Sequence, residues 1–120
     1  MINRIHMSGN VTREIELGNT NSGTSVANFT LAQSIGWKDK ETNEWIEGET
    51  IFLDCTTYGR LAEQAAQILT KGDRVVIEGH LRAESWETED GKTRRKNICI
   101  VDSFVSMTAK NAEVLASEEN

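Results

Sequence analysis

A β-barrel of five strands with one helix between the third and fourth is the architecture this sequence predicts, and three observations carry that expectation. Segments rich in β-branched and apolar residues recur along the chain, separated by polar clusters of Gly, Asn, Thr and Asp. Only one stretch has helical periodicity: Leu61, Ala65, Ile68 and Leu69 fall at i, i+4, i+7 and i+8 and form a single apolar stripe. A chain of 120 residues, 38% of them hydrophobic, suffices for one domain with a modest core and not for two.

Taken in order, residues 2–10 read as the first strand, followed by a loop around Gly18 to Gly23 and a long strand over 25–37. A charged loop, 38–48, leads to the third strand over 50–58. The helix covers 60–69, and Gly72 supplies its stop after Lys71. Strands over 74–86 and 94–105 follow, joined by a polar turn containing Asp90-Gly91, a dipeptide suited to positive φ. The order β-β-β-α-β-β is that of the OB-fold, a mainly β, five-stranded Greek-key barrel whose outer face and loops bind oligonucleotides or oligosaccharides. Residues 1–107 are expected to form this domain. Residues 108–120 are expected to be a short acidic tail, disordered apart from a turn or two of helix over 109–116.

Composition excludes several classes of function. The apolar runs are far shorter than the roughly 20 residues a membrane-spanning helix needs, and the first ten residues hold no signal-peptide core, so the expectation is a cytoplasmic protein without a membrane partner. Cys55 and Cys99 belong to no Cys-x-x-Cys or Cys/His cluster, which predicts two buried thiols and no metal site. No paired-carboxylate, Cys/His, Ser/His/Asp or phosphate-loop arrangement is present, so neither catalysis nor a cofactor is expected. The carboxylates of the 38–48 loop have no cation-ligand spacing and read as a solvated loop. A net charge of −6 argues against a phosphate-bearing partner, but Glu113, Glu118 and Glu119 in the last ten residues carry half of it. What decides is therefore a local basic stripe.

Side chains alternate across a strand, so parity sorts core from surface. In the third strand Ile51, Leu53, Cys55 and Thr57 share the inward face, and Phe52, Asp54, Thr56 and Tyr58 the outward one. In the fourth, Val75, Ile77, Gly79, Leu81, Ala83 and Ser85 point inward, against Val76, Glu78, His80, Arg82, Glu84 and Trp86 outward. Ala27, Phe29 and Leu31 form the apolar set of the second strand, and Trp37 lies at its end beside Lys38 and Lys40. Exposed rings beside cations offer stacking surfaces for bases, each contributing about 1–3 kcal/mol whatever the sequence. Trp45, in the charged loop, is a further stacking ring or a contact between subunits.

Six segments in the right order make the chain resemble the bacterial single-stranded DNA-binding proteins over about residues 2–105. They are Asn3-Arg4-Ile5 with Gly9-Asn10, Val26 to Ala32, Trp37 to Thr42, Tyr58-Gly59-Arg60-Leu61-Ala62-Glu63, Leu69 to Gly72, and Ile77-Glu78-Gly79-His80-Leu81-Arg82. The resemblance implies sequence-independent binding and protection of single-stranded DNA in replication, recombination and repair. It implies stacking on Trp37, Phe52, Tyr58 and Trp86 and phosphate contacts from Arg4, Lys38, Lys40, Arg60, Lys71 and Arg82. It also implies a nucleoid-associated homotetramer, with Ile2, Arg4 and His6 as interface candidates.

The chain departs from the family pattern in three places. Asp54, Glu84 and Ser85 stand where relatives often carry Arg or Lys; the first loop reads Glu14-Ile15-Glu16-Leu17-Gly18; and Ser117-Glu118-Glu119-Asn120 replaces the acidic Pro-Phe tip that recruits replication and repair enzymes. Weaker phosphate contact and a short form without that recruiting tip are the corresponding expectations. An accessory primosomal module acting through protein partners, or an RNA-binding OB module, is the alternative reading.

Overall fold

A computed structural model describes residues 1–108 and 115–117 of the chain. The elements are β1 (Ile5–Val11), β2 (Glu16–Asn19), β3 (Ser25–Lys38), β4 (Trp45–Tyr58), α1 (Arg60–Ile68), β5 (Arg74–Glu87), β6 (Thr93–Ser106) and β7 (Leu115–Ala116).

Five of these strands close on themselves. β1 pairs antiparallel with β5 along its length and crosses to β3 at Asn10↔Ala32 and Val11↔Leu31. β3 pairs with β4 and β5 with β6, both antiparallel, and a short parallel contact at Cys55↔Cys99 and Thr56↔Ile100 joins β4 to β6. The ring β1-β3-β4-β6-β5 is the expected OB barrel, with α1 between its third and fourth strands. Closure removes the exposed edges that an open sheet of this size would offer.

The inward residues form one core. Phe29, Leu31, Val75, Ile77, Val101 and Phe104 are buried together, and the stripe that periodicity foretold adds Leu61 and Ala65 from α1 and Leu69 from just past its end. Each such large side chain contributes on the order of 1.5–3 kcal/mol by leaving water. The thiols of Cys55 and Cys99 are free and buried in the same core. The adjacent Cys99 sulfur and burial hold the Cys55 thiol well above the ordinary thiol range.

Several expectations need correction. The first strand begins at Ile5 and not at residue 2, because Asn3 is tied to Leu81 by its side-chain amide, which donates to the Leu81 carbonyl and accepts from its N–H, both at 2.8 Å. The expected loop around Gly18 is partly strand, since Glu16–Asn19 pairs with β3. Leu115 and Ala116 are strand and not helix: they pair with Phe104 and Ser103 of β6, and Leu115 packs against the core. The remainder of the helix expected over 109–116 lies outside the described residues. The turn after β5 spans residues 88–92; Gly91 has the positive φ (80°) and Asp90 does not.

The largest difference lies at the ends of the long strands. The 38–48 loop contracts to residues 39–44, closed by the Asp39 N–H donating to the Glu44 carbonyl and Asn43 to that of Asp39, both at 2.8 Å. The pairs Lys38↔Trp45 and Glu87↔Thr93 show that β3–β4 and β5–β6 run on as two-stranded ribbons beyond the barrel. Ile51, Leu81, Ala83 and Ser85, which alternation assigned to the core, are therefore exposed, because beyond the ring there is no facing layer to bury them.

Where β5 passes between β1 and β6, the ladder irregularity falls between Glu78↔Ser103 and Gly79↔Val101. A Cβ on Gly79 would collide with the Ile100 carbonyl oxygen and sit 2.9 Å from Cys99 Sγ. Gly79→Ala is expected to lower stability by about 1–3 kcal/mol, read as a shift in the urea midpoint at unchanged m-value. Both thiols are expected to resist a maleimide in the native protein and to react at once in denaturant, monitored by intact mass.

Candidate nucleic-acid interface

The outward face of β4 is set by its neighbours. Tyr58, Thr56, Asp54 and Phe52 pair with Val26, Asn28, Thr30 and Ala32 of β3, and cross-strand partners stand on the same side of a sheet. Two side-chain bonds stitch this face together: Thr56 Oγ1 donates to Asn28 Oδ1 (2.9 Å) and Thr30 Oγ1 to Asp54 Oδ1 (2.7 Å). Phe52 is 67% exposed, with nothing in the barrel to cover it.

The β5–β6 ribbon leans over the same face. Arg82, Glu84 and Trp86 pair with Ile98, Lys96 and Arg94. Lys96 Nζ lies 3.0 Å from Asp54 Oδ2 and 5.7 Å from the centre of the Trp86 ring, so one ammonium joins the two ribbons. A cleft of about 270 Å³ opens between them, lined by Arg13, Asn28, Thr30, Asp54, Glu84 and Lys96. Beside it, Tyr58 and Arg82 line a second cleft with Glu84 and Ser85.

Asp54 is thus an anchor for a cation. The Thr30 hydroxyl and the Lys96 ammonium, with a smaller contribution from Arg13, hold its carboxyl below the ordinary aspartate value of 3.8. The acid at this position is compensated by Lys96, so its negative charge does not stand alone against a phosphate.

Tyr58 and Arg82 line one cleft, and Phe52 and Trp86 stand on the same sides of their ribbons as these two, as parity expected. Trp37 is set apart from them. It pairs with Ile46 and has the parity of Phe29 and Leu31, which places it on the other side of the β3–β4 ribbon, 54% exposed, with its ring against Gly48. Lys38 stands on the Phe52 side, and Lys40 lies in the turn at the ribbon tip. Arg60 opens α1 and lines a groove with Leu17 and Glu63. Lys71 lies in the α1–β5 loop, its N–H facing Glu14 Oε1 at 3.4 Å. Arg4 Nε is 3.3 Å from Glu78 Oε1, on the β1 side of the barrel. Of the six cations expected on phosphates, Arg82 lines the clefted face and Lys38 extends its side of the ribbon.

Sequence reasoning missed Arg13, Arg94 and Lys96. The run Arg94-Arg95-Lys96 was a legible signal: alternation alone puts Arg94 and Lys96 on one side, and the hairpin register puts that side with Trp86.

A closed barrel bearing clustered rings and cations invites comparison with known proteins, and the single-strand binding protein family matches residues 2–107. The chain belongs to that family. Among curated relatives, a single-stranded DNA-binding protein of Paenarthrobacter aurescens is 40% identical over 97% of this chain and 68% of its own length. One from Mycobacterium tuberculosis is 43% identical over 75% of this chain and 55% of its own length. The chain thus spans between about half and two thirds of the relatives it matches. The small single-stranded DNA-binding protein from Streptomyces coelicolor superposes with a TM-score of 0.72 at 27% identity, covering 92% of this chain and all of that one. The Plasmodium falciparum protein in complex with single-stranded DNA has the same fold, with a TM-score of 0.70 at 24% identity over 98% of this chain and 96% of that one. No helix among the described residues is long and apolar enough to cross a membrane.

Because the folded-state pKa of Asp54 is lowered, the stability it contributes is present above the ordinary aspartate value and is lost as pH falls through the lower folded value. The wild type is therefore expected to exceed Asp54→Asn in urea midpoint at pH 7. The gap should narrow as pH falls below the ordinary aspartate value and through the lower folded one, as the Asp54 carboxyl takes up its proton.

Proposed function

We propose that this protein binds and protects single-stranded DNA without sequence preference, without catalysis and without a cofactor. The observation that carries the reading is the shared face of Phe52, Tyr58 and Trp86, joined across two ribbons by the Lys96–Asp54 bridge. Bases stack on the rings, since every base has a π face, while Arg82 and the neighbouring Lys and Arg side chains neutralise phosphates. Trp37, on the far side of the β3–β4 ribbon, takes part if the strand passes round the ribbon tip past Lys38 and Lys40. Replication, recombination and repair are the processes in which such coating serves, in a cytoplasmic, nucleoid-associated protein.

The assembled form is a homotetramer in this reading. Ile2, 96% exposed, and the exposed Arg4 and His6 at the β1 edge are the interface candidates, and linked protomers raise avidity for one long strand.

Titration with oligothymidine at low salt is expected to quench tryptophan emission and to retard the DNA on a gel. Unchanged emission with no retardation would overturn the proposal. Phe52→Ala and Trp86→Ala are each expected to weaken binding by about 1–3 kcal/mol with an unchanged thermal transition. The logarithm of affinity should fall with the logarithm of salt concentration with a slope of about −0.7 per phosphate neutralised. Removing Arg82 should make that slope shallower by about one such unit.

A further inference from the structure

A fifth ring stands on the β3–β4 ribbon outside the four platforms named above. Trp45 opens β4 and is 64% exposed. One side of its indole lies against the backbone of Gly36, where a Cβ would collide with the ring and sit 2.8 Å from the Ile46 carbonyl oxygen. The absence of a side chain at Gly36 thus lets the indole pack against the ribbon while most of the residue stays exposed to solvent.

The side on which it stands follows from one irregularity. Between Ser34 and Gly36, β3 advances by two residues while β4, paired at Thr50 and Glu47, advances by three. The extra residue lies in β4, and such a bulge reverses the alternation beyond it. β3 itself runs on regularly, so Ala32, Gly36 and Lys38 share a side with their partners Phe52, Glu47 and Trp45. Without the bulge, odd-numbered Trp45 would stand opposite Phe52; with it, the two rings look the same way, with Lys38 directly across from Trp45.

We infer that Trp45 is a further stacking platform for a base of the bound single strand, extending the Phe52 face to the ribbon tip. The inference rests on the proposed binding of single-stranded DNA. Glu47, between the two rings on this side, disfavours a phosphate there, so the strand passes this segment with its bases toward the ribbon and its backbone outward. Lys38 is the cation placed to meet the phosphate next to the base on Trp45.

The chain has three tryptophans, so Trp37→Phe combined with Trp86→Phe leaves Trp45 as the sole emitter. Its emission is expected to be quenched at saturating oligothymidine, with binding followed independently by gel retardation. Trp45→Ala should lower affinity about 5- to 150-fold, the factor equivalent to about 1–3 kcal/mol, and Trp45→Phe should recover most of the loss. If the wild type binds oligothymidine while sole-Trp45 emission is unchanged and Trp45→Ala binds as tightly as wild type, the inference is overturned and the general function stands. If Trp45→Ala changes the sedimenting mass with affinity intact, the ring is a subunit contact and the inference is again overturned. Absence of any binding by the wild type defeats both readings. Should Trp45→Ala fail to fold, the quenching of the sole-Trp45 protein decides the matter by itself.

Discussion

The parallel contact between Cys55 of β4 and Cys99 of β6 closes the barrel, and the geometry of the candidate interface descends from it. Two antiparallel hairpins, β3–β4 and β5–β6, pair along only this short stretch, where the two free thiols are buried. One residue before Cys55, Asp54 faces outward; three residues before Cys99, Lys96 does so on the neighbouring strand, and the two come within 3.0 Å. The inward contact and the outward ion pair are two sides of one junction. Everything beyond it projects as ribbon, which is how rings distant in sequence come to share a surface.

The electrostatics of that surface depend on the junction as well. The chain carries a net charge of −6, yet carboxylates and cations are not scattered at random over the interface. Asp54, hydrogen-bonded to Thr30 and paired with Lys96, stays ionised and fixes an ammonium over Trp86. A partly exposed pair of this kind adds little to stability. Its effect is positional: it ties one ribbon to the other and holds a cation against an aromatic ring.

How much of this was legible follows from what each signal measures. Helical periodicity located α1 to within one residue, and alternation found the inward faces of the barrel, although Thr56, on the outward side of β4, is buried as well. The same alternation failed for Ile51 and Leu81, since a two-residue period says which side a residue is on and not whether anything covers that side. Trp45 was read as part of a charged loop, and the side on which it stands depends on a bulge in β4 that no local pattern announced. The cations Arg94 and Lys96 are readable by the rule that finds Trp86, since alternation puts them on one side of β6 and the hairpin register sets that side with Trp86.

The sequence by itself determined the class of fold, the order of its strands, the helix and its buried stripe, and the outward parity of Phe52, Tyr58 and Trp86. These are local properties, set by side-chain spacing along one element. Only the tertiary structure decided that the long strands outrun the barrel, that Asp54 meets Lys96, and that Trp37 and Trp45 stand on opposite sides of one ribbon. Each of those depends on the register between strands far apart in the chain, and register is fixed by closure and by a single extra residue.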